Sequence, residues 1–403
     1  MIRKIVIFIL FFAFFYDMKI SEPFLTTRFF MGLMGAGLFF IDSMQNRIAF
    51  KKTYLNIVFV YLLPLLWSFF SCFYNGTNEY QFLYEFKFLI IIFFATYFLI
   101  KISRRTINST SQLFDLIILM VVGQCLIAVL ATVSSTVGAF VLANANAIES
   151  FIAREQGTRL IGIGSAVFFG ILPTSSLALF ACVYQMFYSS RRNKALYAIS
   201  FFIIFIISYL MARTFIFAAI PAGYIYFVYS RNSGQKTGRI LLMLLPIALL
   251  FVFLEFAGTL LSGEMYNWAF NSFSRDSENT TVNEIYQWYA FTQFNTKTWW
   301  VGDGLMSAKG GGYYMGMDAG YIRTIFYVGI IGVFLYFYYQ FYIAKTIYRT
   351  TNNKYLWYFL LAYLFYYAIM MVKGYISISR ELLFLLVMID YGKLRINNYY
   401  LTK

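Results

Sequence analysis

The sequence predicts an all-α, polytopic integral membrane protein, and three properties of the chain carry that prediction. Of its 403 residues, 61% are hydrophobic and only 12% are charged, whereas about a quarter of an ordinary soluble domain is charged. The mean hydropathy is +0.68. The apolar residues are gathered in long runs, and an α-helix needs a run of about 20 residues to cross a hydrocarbon core. These properties exclude an ordinary soluble enzyme.

About twelve apolar runs have the length expected of transmembrane helices. The first is short and follows Arg3 and Lys4, as in a signal peptide, but no small-residue cleavage site follows Phe15, so we count it as a span. The whole chain, 1–403, is therefore expected to form a single polytopic domain. In chain order the runs lie near 2–16, 24–41, 54–73, 82–100, 113–133, 166–188, 195–211, 215–229, 239–256, 319–343, 355–372 and 376–392.

Basic residues lie in every second connection, on the same side as Arg3 and Lys4. Cytoplasmic loops of membrane proteins carry an excess of Lys and Arg, so both termini are expected in the cytoplasm. The net charge of +15 is spread over short clusters rather than one basic face, which argues against nucleic acid as a partner. The clusters are Arg47/Lys51/Lys52, Arg104/Arg105, Arg191/Arg192/Lys194, Arg231/Lys236/Arg239, Lys345/Arg349/Lys354 and Lys393/Arg395/Lys403.

Two outer connections, 134–165 and 257–317, are longer than a turn requires, and long loops are where binding and catalysis concentrate. In the second loop, Thr281 and Glu284 have the spacing of a capping box, and apolar residues follow at helical spacing. This pattern predicts a short helix over 281–294. The short cytoplasmic connections contain no phosphate-binding loop motif, so nothing in them indicates a nucleotide site.

The sequence predicts no metal and no redox cofactor. It contains no His, and its three cysteines, Cys72, Cys125 and Cys182, lie far apart within apolar runs. Zinc sites and thiol redox sites need His or Cys ligands at characteristic short spacings. We therefore expect an activity that works without a cofactor.

Arginines on the outer side are the first candidates for function, because an ionisable group at membrane depth costs about 2.5–3.5 kcal/mol and normally faces a cavity or a partner. Arg213 lies in a short turn between two spans. It fits two roles equally, a contact to lipid phosphate or a ligand for a substrate diphosphate. Four further outer arginines have the same planar donor geometry, although a surface ion pair is the alternative for any one of them: Arg154, Arg159, Arg275 and Arg323.

Four outer carboxylates lie nearest to predicted spans: Asp318, Glu381, Glu85 and Glu255. Asp318 precedes Arg323 closely, and it is either a general base for a hydroxyl or the ion-pair partner of that arginine. Glu381 lies next to Arg380, and an ion pair between these two is the favoured interpretation. The glycines around Asp303 permit tight turns, but a merely flexible loop is the favoured interpretation there.

Four outer segments occur in a characteristic order: RLIGIGSA from Arg159, ARTF around Arg213, Arg275 followed by a Gly-x-Gly at 302–304, and DAGYIRTIFYVGIIG from Asp318. Their order and placement resemble the bacterial O-antigen and capsule repeat-unit polymerases of the Wzy type, which are related to the O-antigen ligases. With the pattern of spans, the resemblance covers most of the chain. Ligases usually carry His-Asn-x-Tyr-Leu in the last segment, whereas this chain carries Asp318-Ala-Gly-Tyr-Ile. That departure favours a polymerase and leaves Asp318 in the place of the His.

The resemblance implies a glycosyltransferase of the bacterial inner (cytoplasmic) membrane that works on the periplasmic side without nucleotide sugar or metal. Its implied substrates are a growing glycan on undecaprenyl diphosphate and one lipid-linked repeat unit, whose hydroxyl receives the glycan. Membrane lipids and a regulator of polysaccharide chain length are the other expected partners. The residues expected in catalysis are Arg159, Arg213 and Asp318, and those expected to bind the diphosphate are Arg154, Arg275 and Arg323.

Other functions remain open at this point. A flippase or transporter of the same lipid-linked oligosaccharide is expected to show repeated halves and charges near the bilayer midplane. This chain has no internal sequence repeat, and its candidate charges lie at the outer face. The absent His disfavours an O-antigen ligase, and a purely structural assembly protein is the last alternative.

Overall fold

The computed structural model describes residues 2–21, 25–145, 159–165, 168–188, 194–232, 280–308, 312–374 and 380–395, and this part of the chain is mostly helical. Two short strands, Lys19–Ser21 and Leu25–Thr26, form an antiparallel hairpin, which is a small departure from the all-α prediction. The helices are α1 (Ile2–Tyr16), α2 (Thr27–Met44), α3 (Lys52–Asn75), α4 (Gln81–Ser103), α5 (Thr110–Val133), α6 (Ser135–Ala143), α7 (Leu172–Tyr188), α8 (Lys194–Met211), α9 (Ala219–Asn232), α10 (Thr280–Phe291), α11 (Thr296–Trp300), α12 (Gly320–Thr351), α13 (Lys354–Met370) and α14 (Arg380–Asp390).

Five of the described helices, α3, α4, α5, α8 and α12, are long and apolar enough to cross a membrane. The structure therefore agrees with a mostly helical membrane protein. Among the shorter helices, α14 is buried at every position from 381 to 389, which is the pattern of a helix surrounded by others. The helix predicted at 281–294 corresponds to α10, while the predicted span near 239–256 lies outside the described residues.

The described helices form a bundle with two distinguishable ends. At one of them, which we call the basic end, Lys51 in front of α3 pairs with Asp390 at the end of α14. Lys101 in α4 pairs with Asp42 near the end of α2. The first residues of α3 and the last residues of α2, α4 and α14 therefore meet, and they adjoin the basic connections seen in the sequence.

The opposite end, which we call the site end, gathers the segment 159–165 and the last turns of α1 and α8. The N–H of Ser165 donates to the carbonyl of Tyr16 at the end of α1. The N–H of Leu160 donates to the carbonyl of Leu210 at 3.3 Å. A short piece of the first long loop is thus fixed onto the bundle between two helix ends.

Helices α2 and α4 pack closely because glycine faces the contact. A Cβ on Gly35 would lie 1.8 Å from the carbonyl oxygen of Phe94, and one on Gly32 would lie 3.1 Å from Ile91. Small residues let two helix backbones approach each other in this way. Gly37 lies away from this contact, since no atom lies within 4 Å of its hypothetical Cβ.

The long helix α12 reverses direction at Gly329. This residue has φ +65° and ψ −178°, which are not helical angles. The rings of Tyr321 and Phe337 stack with centroids 5.8 Å apart, although in a continuous helix these positions would be about 24 Å apart. Residues 320–328 therefore form a first arm that folds back along a second arm, 330–351.

The span predicted over 319–343 corresponds to α12, one of the helices that are long and apolar enough to cross a membrane. Gly329 divides this helix into two arms, and only the second arm runs on toward the basic end. Hydropathy gave no sign of the reversal, since both arms are apolar. The conformation at Gly329 depends on what packs against it, which the local sequence does not reveal.

Candidate functional site

The turn at Gly329 is packed under the loop that follows α11. A Cβ on Gly329 would lie 2.2 Å from the carbonyl oxygen of Trp300, and a Cβ on Gly302 would lie 2.7 Å from the carbonyl oxygen of Tyr327. Gly302 and Gly304 both have positive φ, +86° and +69°, where glycine has no steric penalty. The interpretation of these glycines as a merely flexible loop is corrected, because they allow close contact with α12.

The reversal leaves the last carbonyls of the first arm without helical partners, and other segments supply the missing donors. Ser71 Oγ donates to the carbonyl of Tyr327 at 2.8 Å, and the N–H of Gly304 donates to the same oxygen at 3.2 Å. Trp67 Nε1 donates to the carbonyl of Val328 at 2.7 Å. Helix α3 and the loop thus fix the turn, as irregular backbone inside a membrane bundle requires.

The loop itself is anchored to the connection between α3 and α4. The carboxylate of Glu79 accepts the N–H groups of Met306 and of Ser307, the latter at 3.0 Å. Asn75 Nδ2 donates to the carbonyl of Gly302 at 3.0 Å. Residues 302–307 are therefore held in place by these hydrogen bonds, and they pack against the first arm of α12.

Asp318 and Arg323 lie at the start of that first arm. Arg323 Nη1 is 3.7 Å from Asp318 Oδ1, and their side chains are 15% and 28% exposed. The guanidinium of Arg323 also lies over the ring of Tyr313, 4.1 Å from its centroid. Both interpretations of Asp318 survive, because the ion pair exists and the carboxylate is still partly accessible.

The fold-back brings Tyr321, which lies between the two members of this pair in the sequence, next to the end of α13. The ring of Tyr321 in the first arm stacks on the ring of Phe337 in the second arm. The N–H of Tyr321 donates to the carbonyl of Met371 at 2.9 Å, just past α13. Asp318 lies three residues before this contact in the sequence.

Arg159 and Arg213 are brought to the same helix end. The bond from Leu160 N–H to the Leu210 carbonyl places Arg159 beside the last turn of α8. Arg213 begins the 3-10 segment Arg213–Ala218 directly after that helix. Both arginines are partly buried. Two of the three residues predicted for catalysis therefore come from neighbouring stretches of backbone.

Helix α13 lies between these two parts of the site. Phe215, shortly after Arg213, packs on Tyr366 of α13 with ring centroids 6.1 Å apart. The carbonyl of Met371, just beyond α13, holds the backbone of Tyr321. Helix α13 and the residue just beyond it therefore contact both the segment after Arg213 and the start of α12. Arg154 and Arg275 lie outside the described residues.

A buried ion pair that the sequence analysis missed lies next to α1. Arg28 Nη1 is 3.2 Å from Asp17 Oδ2, and both side chains are almost fully buried. Arg28 also donates to the carbonyls of Phe14 and Phe15 at 2.9 and 3.0 Å. The sequence feature that could have indicated this ion pair is Arg28 itself, a charged residue inside the predicted span 24–41.

The predicted ion pair of Arg380 with Glu381 exists only as a long contact. Arg380 Nη2 is 4.0 Å from Glu381 Oε1. Glu381 instead accepts hydrogen bonds from Thr174 Oγ1 at 3.2 Å and from Tyr363 Oη at 3.1 Å. The carboxylate is thus held mainly by hydroxyl groups of α7 and α13.

Asp303 is engaged locally and is a poor candidate for a general base. Thr298 Oγ1 donates to its carboxylate at 2.6 Å. Burial and the nearby, hydrogen-bonded Asp303 carboxylate raise the pKa of the Tyr314 phenol, so this phenol keeps its proton and remains a donor at neutral pH. Asp318 is therefore the stronger candidate of the two aspartates.

An apolar cavity of about 230 Å³ lies elsewhere, between α3, α4, α12 and α14. Its lining is almost wholly aromatic and aliphatic, and none of the predicted site residues contributes to it. Aromatic residues at its two ends include Phe50 near the basic end and Tyr61 further along α3. The cavity and the candidate site are separate features of the bundle.

No family model matches the sequence, and no curated protein or solved structure matches the chain. Within the described ranges, no group of three or more His, Cys, Asp or Glu side chains could hold a metal ion.

Proposed function

We propose that the protein is a membrane glycosyltransferase that polymerises undecaprenyl-diphosphate-linked repeat units into an O-antigen or capsular polysaccharide. The resemblance of four outer segments supports the proposal. The observation that carries it is the bond between Leu160 and Leu210, which joins the backbone next to Arg159 to the last turn of α8, three residues before Arg213. Two guanidiniums at one end of an apolar bundle suit a reaction in which a diphosphate departs, because preorganised charge is most effective where water is scarce.

The proposal includes about twelve spans, with both termini and the basic end in the cytoplasm and the site end facing the periplasm of a bacterial inner membrane. The two long connections, 134–165 and 257–317, then lie on the periplasmic side. The concentration of Lys and Arg at the basic end supports this orientation.

In the proposed reaction, a hydroxyl of the incoming unit attacks the anomeric carbon of the growing glycan. The bond between that carbon and the diphosphate oxygen breaks, and undecaprenyl diphosphate leaves with the electron pair. Arg159 and Arg213 stabilise the negative charge on the departing diphosphate. Asp318 accepts the proton of the attacking hydroxyl, and Arg323, 3.7 Å away, orients its carboxylate. Arg154 and Arg275 are further proposed ligands of the diphosphate.

The direct test is reconstitution of the purified protein in liposomes with lipid-linked repeat units and nothing else. We expect a ladder of longer glycans on the lipid carrier. If the units cross the bilayer but no elongation occurs, the protein is a transporter and this proposal is wrong. If the glycan is transferred only when a lipid A core acceptor is present, the protein is a ligase rather than a polymerase.

Substitutions at Arg213 give the most specific test of the proposed mechanism in that assay. Arg213→Ala should lower the elongation rate about 100-fold or more, because a group that stabilises developing charge is removed. Arg213→Lys should recover little, since a lysine lacks the planar fork that binds two phosphate oxygens. The matched control is Arg47→Ala at the basic end, where the side chain is 67% exposed. A wild-type rate in Arg213→Ala would remove Arg213 from the mechanism.

A further inference from the structure

We propose that the apolar cavity between α3, α4, α12 and α14 holds one acyl chain of an anionic phospholipid from the bilayer leaflet at the basic end. The cavity has a volume of about 230 Å³. None of the residues proposed for glycan transfer lines it. The inference therefore does not depend on the proposed function.

The lining of the cavity favours an apolar occupant. Apolar atoms contribute almost all of its surface, and the hydroxyl of Tyr61 is engaged elsewhere, since it donates to the carbonyl of Phe82 at 2.6 Å. A buried water needs two to four polar partners, and an apolar cavity of about 150 Å³ stays dry and binds small apolar molecules. A hydrocarbon chain would supply the dispersion contacts that the lining atoms lack when the space is empty.

The cavity reaches the outer surface of the bundle between α3 and α4. Phe50 and Ile90 both line it, and each is 44% exposed. Leu383 of α14 lies on the inner wall and is only 4% exposed. Both α3 and α4 are long and apolar enough to cross a membrane, so the surface around Ile90 contacts lipid chains in a bilayer. A chain can therefore enter the cavity without passing through water.

The cavity extends along α3. The residues of this helix that line it are Tyr54, Ile57, Val58 and Tyr61, which share one face and span about 10 Å along the helix axis. At the end away from the basic end, the ring of Phe86 stacks on that of Tyr61 with centroids 5.5 Å apart. A space of this length accommodates part of one hydrocarbon chain that enters from the basic end.

The residues beside the opening at Phe50 place it at the level of lipid headgroups. Lys51 and Lys52 follow Phe50 directly. Lys51 pairs with Asp390, whereas Lys52 is exposed to its surroundings. Lysines adjacent to a membrane helix attract anionic lipid headgroups. The opening thus combines an apolar space for a chain with a cation for a phosphate.

Further basic groups at the same end are only partly neutralised. Asp42 pairs with Lys101 and accepts a hydrogen bond from the hydroxyl of Tyr97. Its contact with Arg47 is 4.0 Å long, and the Arg47 side chain is 67% exposed. With Lys51, Lys52 and Asp390, these groups comprise four cations and two carboxylates. The excess of two positive charges favours an anionic lipid over a neutral one.

A bilayer phospholipid fits this arrangement better than the proposed lipid carrier does. In the proposed function, the diphosphate of the carrier lies at the site end, whereas the opening at Phe50 lies at the basic end. A phospholipid of the leaflet at the basic end can place its phosphate beside Lys52 and a chain beside Ile90 at the same time.

The test is photo-crosslinking in nanodiscs with a phosphatidylglycerol that carries a diazirine in one acyl chain, followed by peptide mass spectrometry. We expect a crosslink to Leu383, because lipid that only surrounds the bundle has no access to this buried side chain. Crosslinks confined to exposed positions such as Leu83 of α4 would overturn the inference.

A variant that blocks the opening tests the route of entry. Ile90→Trp should lower the yield of the Leu383 crosslink about tenfold, because the indole occupies space that the chain needs. The matched control is Leu83→Trp, since Leu83 lies in the same helix and is equally exposed but does not line the cavity. An equal yield from the two variants would contradict the inference. If Ile90→Trp fails to fold, the crosslink to Leu383 in the wild-type protein still decides.

Competition by unlabelled lipids tests the headgroup. Phosphatidylglycerol should suppress the Leu383 crosslink, and phosphatidylcholine with the same chains should do so more weakly. Lys52→Gln should weaken the competition by phosphatidylglycerol about fivefold, which is the usual effect of one basic residue at an anionic lipid surface. Arg231→Gln is the control, because this exposed arginine ends α9, a helix that does not line the cavity. Equal competition by phosphatidylcholine, or stronger competition by a polyprenyl phosphate, would overturn the assignment to an anionic phospholipid.

Discussion

Asp318 forms a long ion pair with Arg323 at the start of α12. Its distance of 3.7 Å from Arg323 is longer than the 2.7–2.9 Å typical of a strong charge-assisted hydrogen bond. Arg323 is also engaged by the ring of Tyr313. In the proposed mechanism the guanidinium limits where the carboxylate points, and the Asp318 side chain remains 28% exposed.

We expect Asp318→Asn to lower kcat for elongation about 100-fold or more, which is the usual contribution of a general base. The melting temperature should change little, because a partly exposed ion pair contributes at most about 1 kcal/mol. The measurement is the elongation rate at saturating lipid-linked units. Asp303→Asn is the matched control, since that carboxylate is bonded to Thr298 nearby. An unchanged kcat in Asp318→Asn would leave Asp318 only as the partner of Arg323.

Single residues show what sequence alone could predict about the site. Arg159 and Arg213 were predicted because each lies between apolar runs and because their order resembles that in a known family, and their role stays a prediction. The pair of Asp17 with Arg28 was not identified, since Asp17 precedes a small hairpin that the hydropathy does not reveal. The partners of Glu381, Thr174 and Tyr363, come from distant helices, and no local pattern indicates them.

Among the elements, α12 is the one whose shape decides the site. Its two arms meet at Gly329, and the position of Asp318 follows from the direction of the first arm. The lengths and types of α3, α4, α5 and α8 follow from their apolar runs. The reversal in α12 does not, because it depends on contacts with Trp300 and with Trp67 of α3.

We expect Gly329→Ala to lower the free energy of unfolding by about 3 kcal/mol or more. Positive φ costs a residue with a Cβ about 1–3 kcal/mol, and the new methyl group would collide with the carbonyl of Trp300 at 2.2 Å. Gly37→Ala is the control, because open space surrounds that position and alanine is the better helix former.

The measurement for both glycine variants is thermal unfolding in the same detergent. Gly329→Ala should also lose elongation activity, because a displaced first arm moves Asp318. Equal melting temperatures for the two variants would show that the reversal at Gly329 does not hold in the folded protein.

At the scale of the whole molecule, charge distinguishes the two ends of the bundle. Arg47 and Lys51 adjoin the basic end. Met315 lies in the segment before α12 and is 64% exposed. If the basic end is cytoplasmic, these positions face opposite compartments.

A cysteine-labelling experiment checks this orientation. In intact spheroplasts, a membrane-impermeant maleimide should label Met315→Cys, whereas Arg47→Cys should react only after the membrane is permeabilised. The background should be low, because the natural thiols of Cys72, Cys125 and Cys182 are all buried. Labelling of Arg47→Cys in intact spheroplasts would reverse the orientation and place the site in the cytoplasm.

The contacts that hold the turn of α12 also determine when the protein becomes complete during synthesis. Trp67 finds its acceptor 261 positions later in the chain, and Glu79 finds the N–H of Met306 227 positions later. At a synthesis rate of about 5–20 residues per second, the ribosome needs roughly 10–50 s to supply them. Until that part of the chain has been synthesised, the indole of Trp67 in α3 lacks its acceptor in α12. A nascent chain that stops before Gly329 contains most of the helices but lacks the turn that joins the two arms of α12.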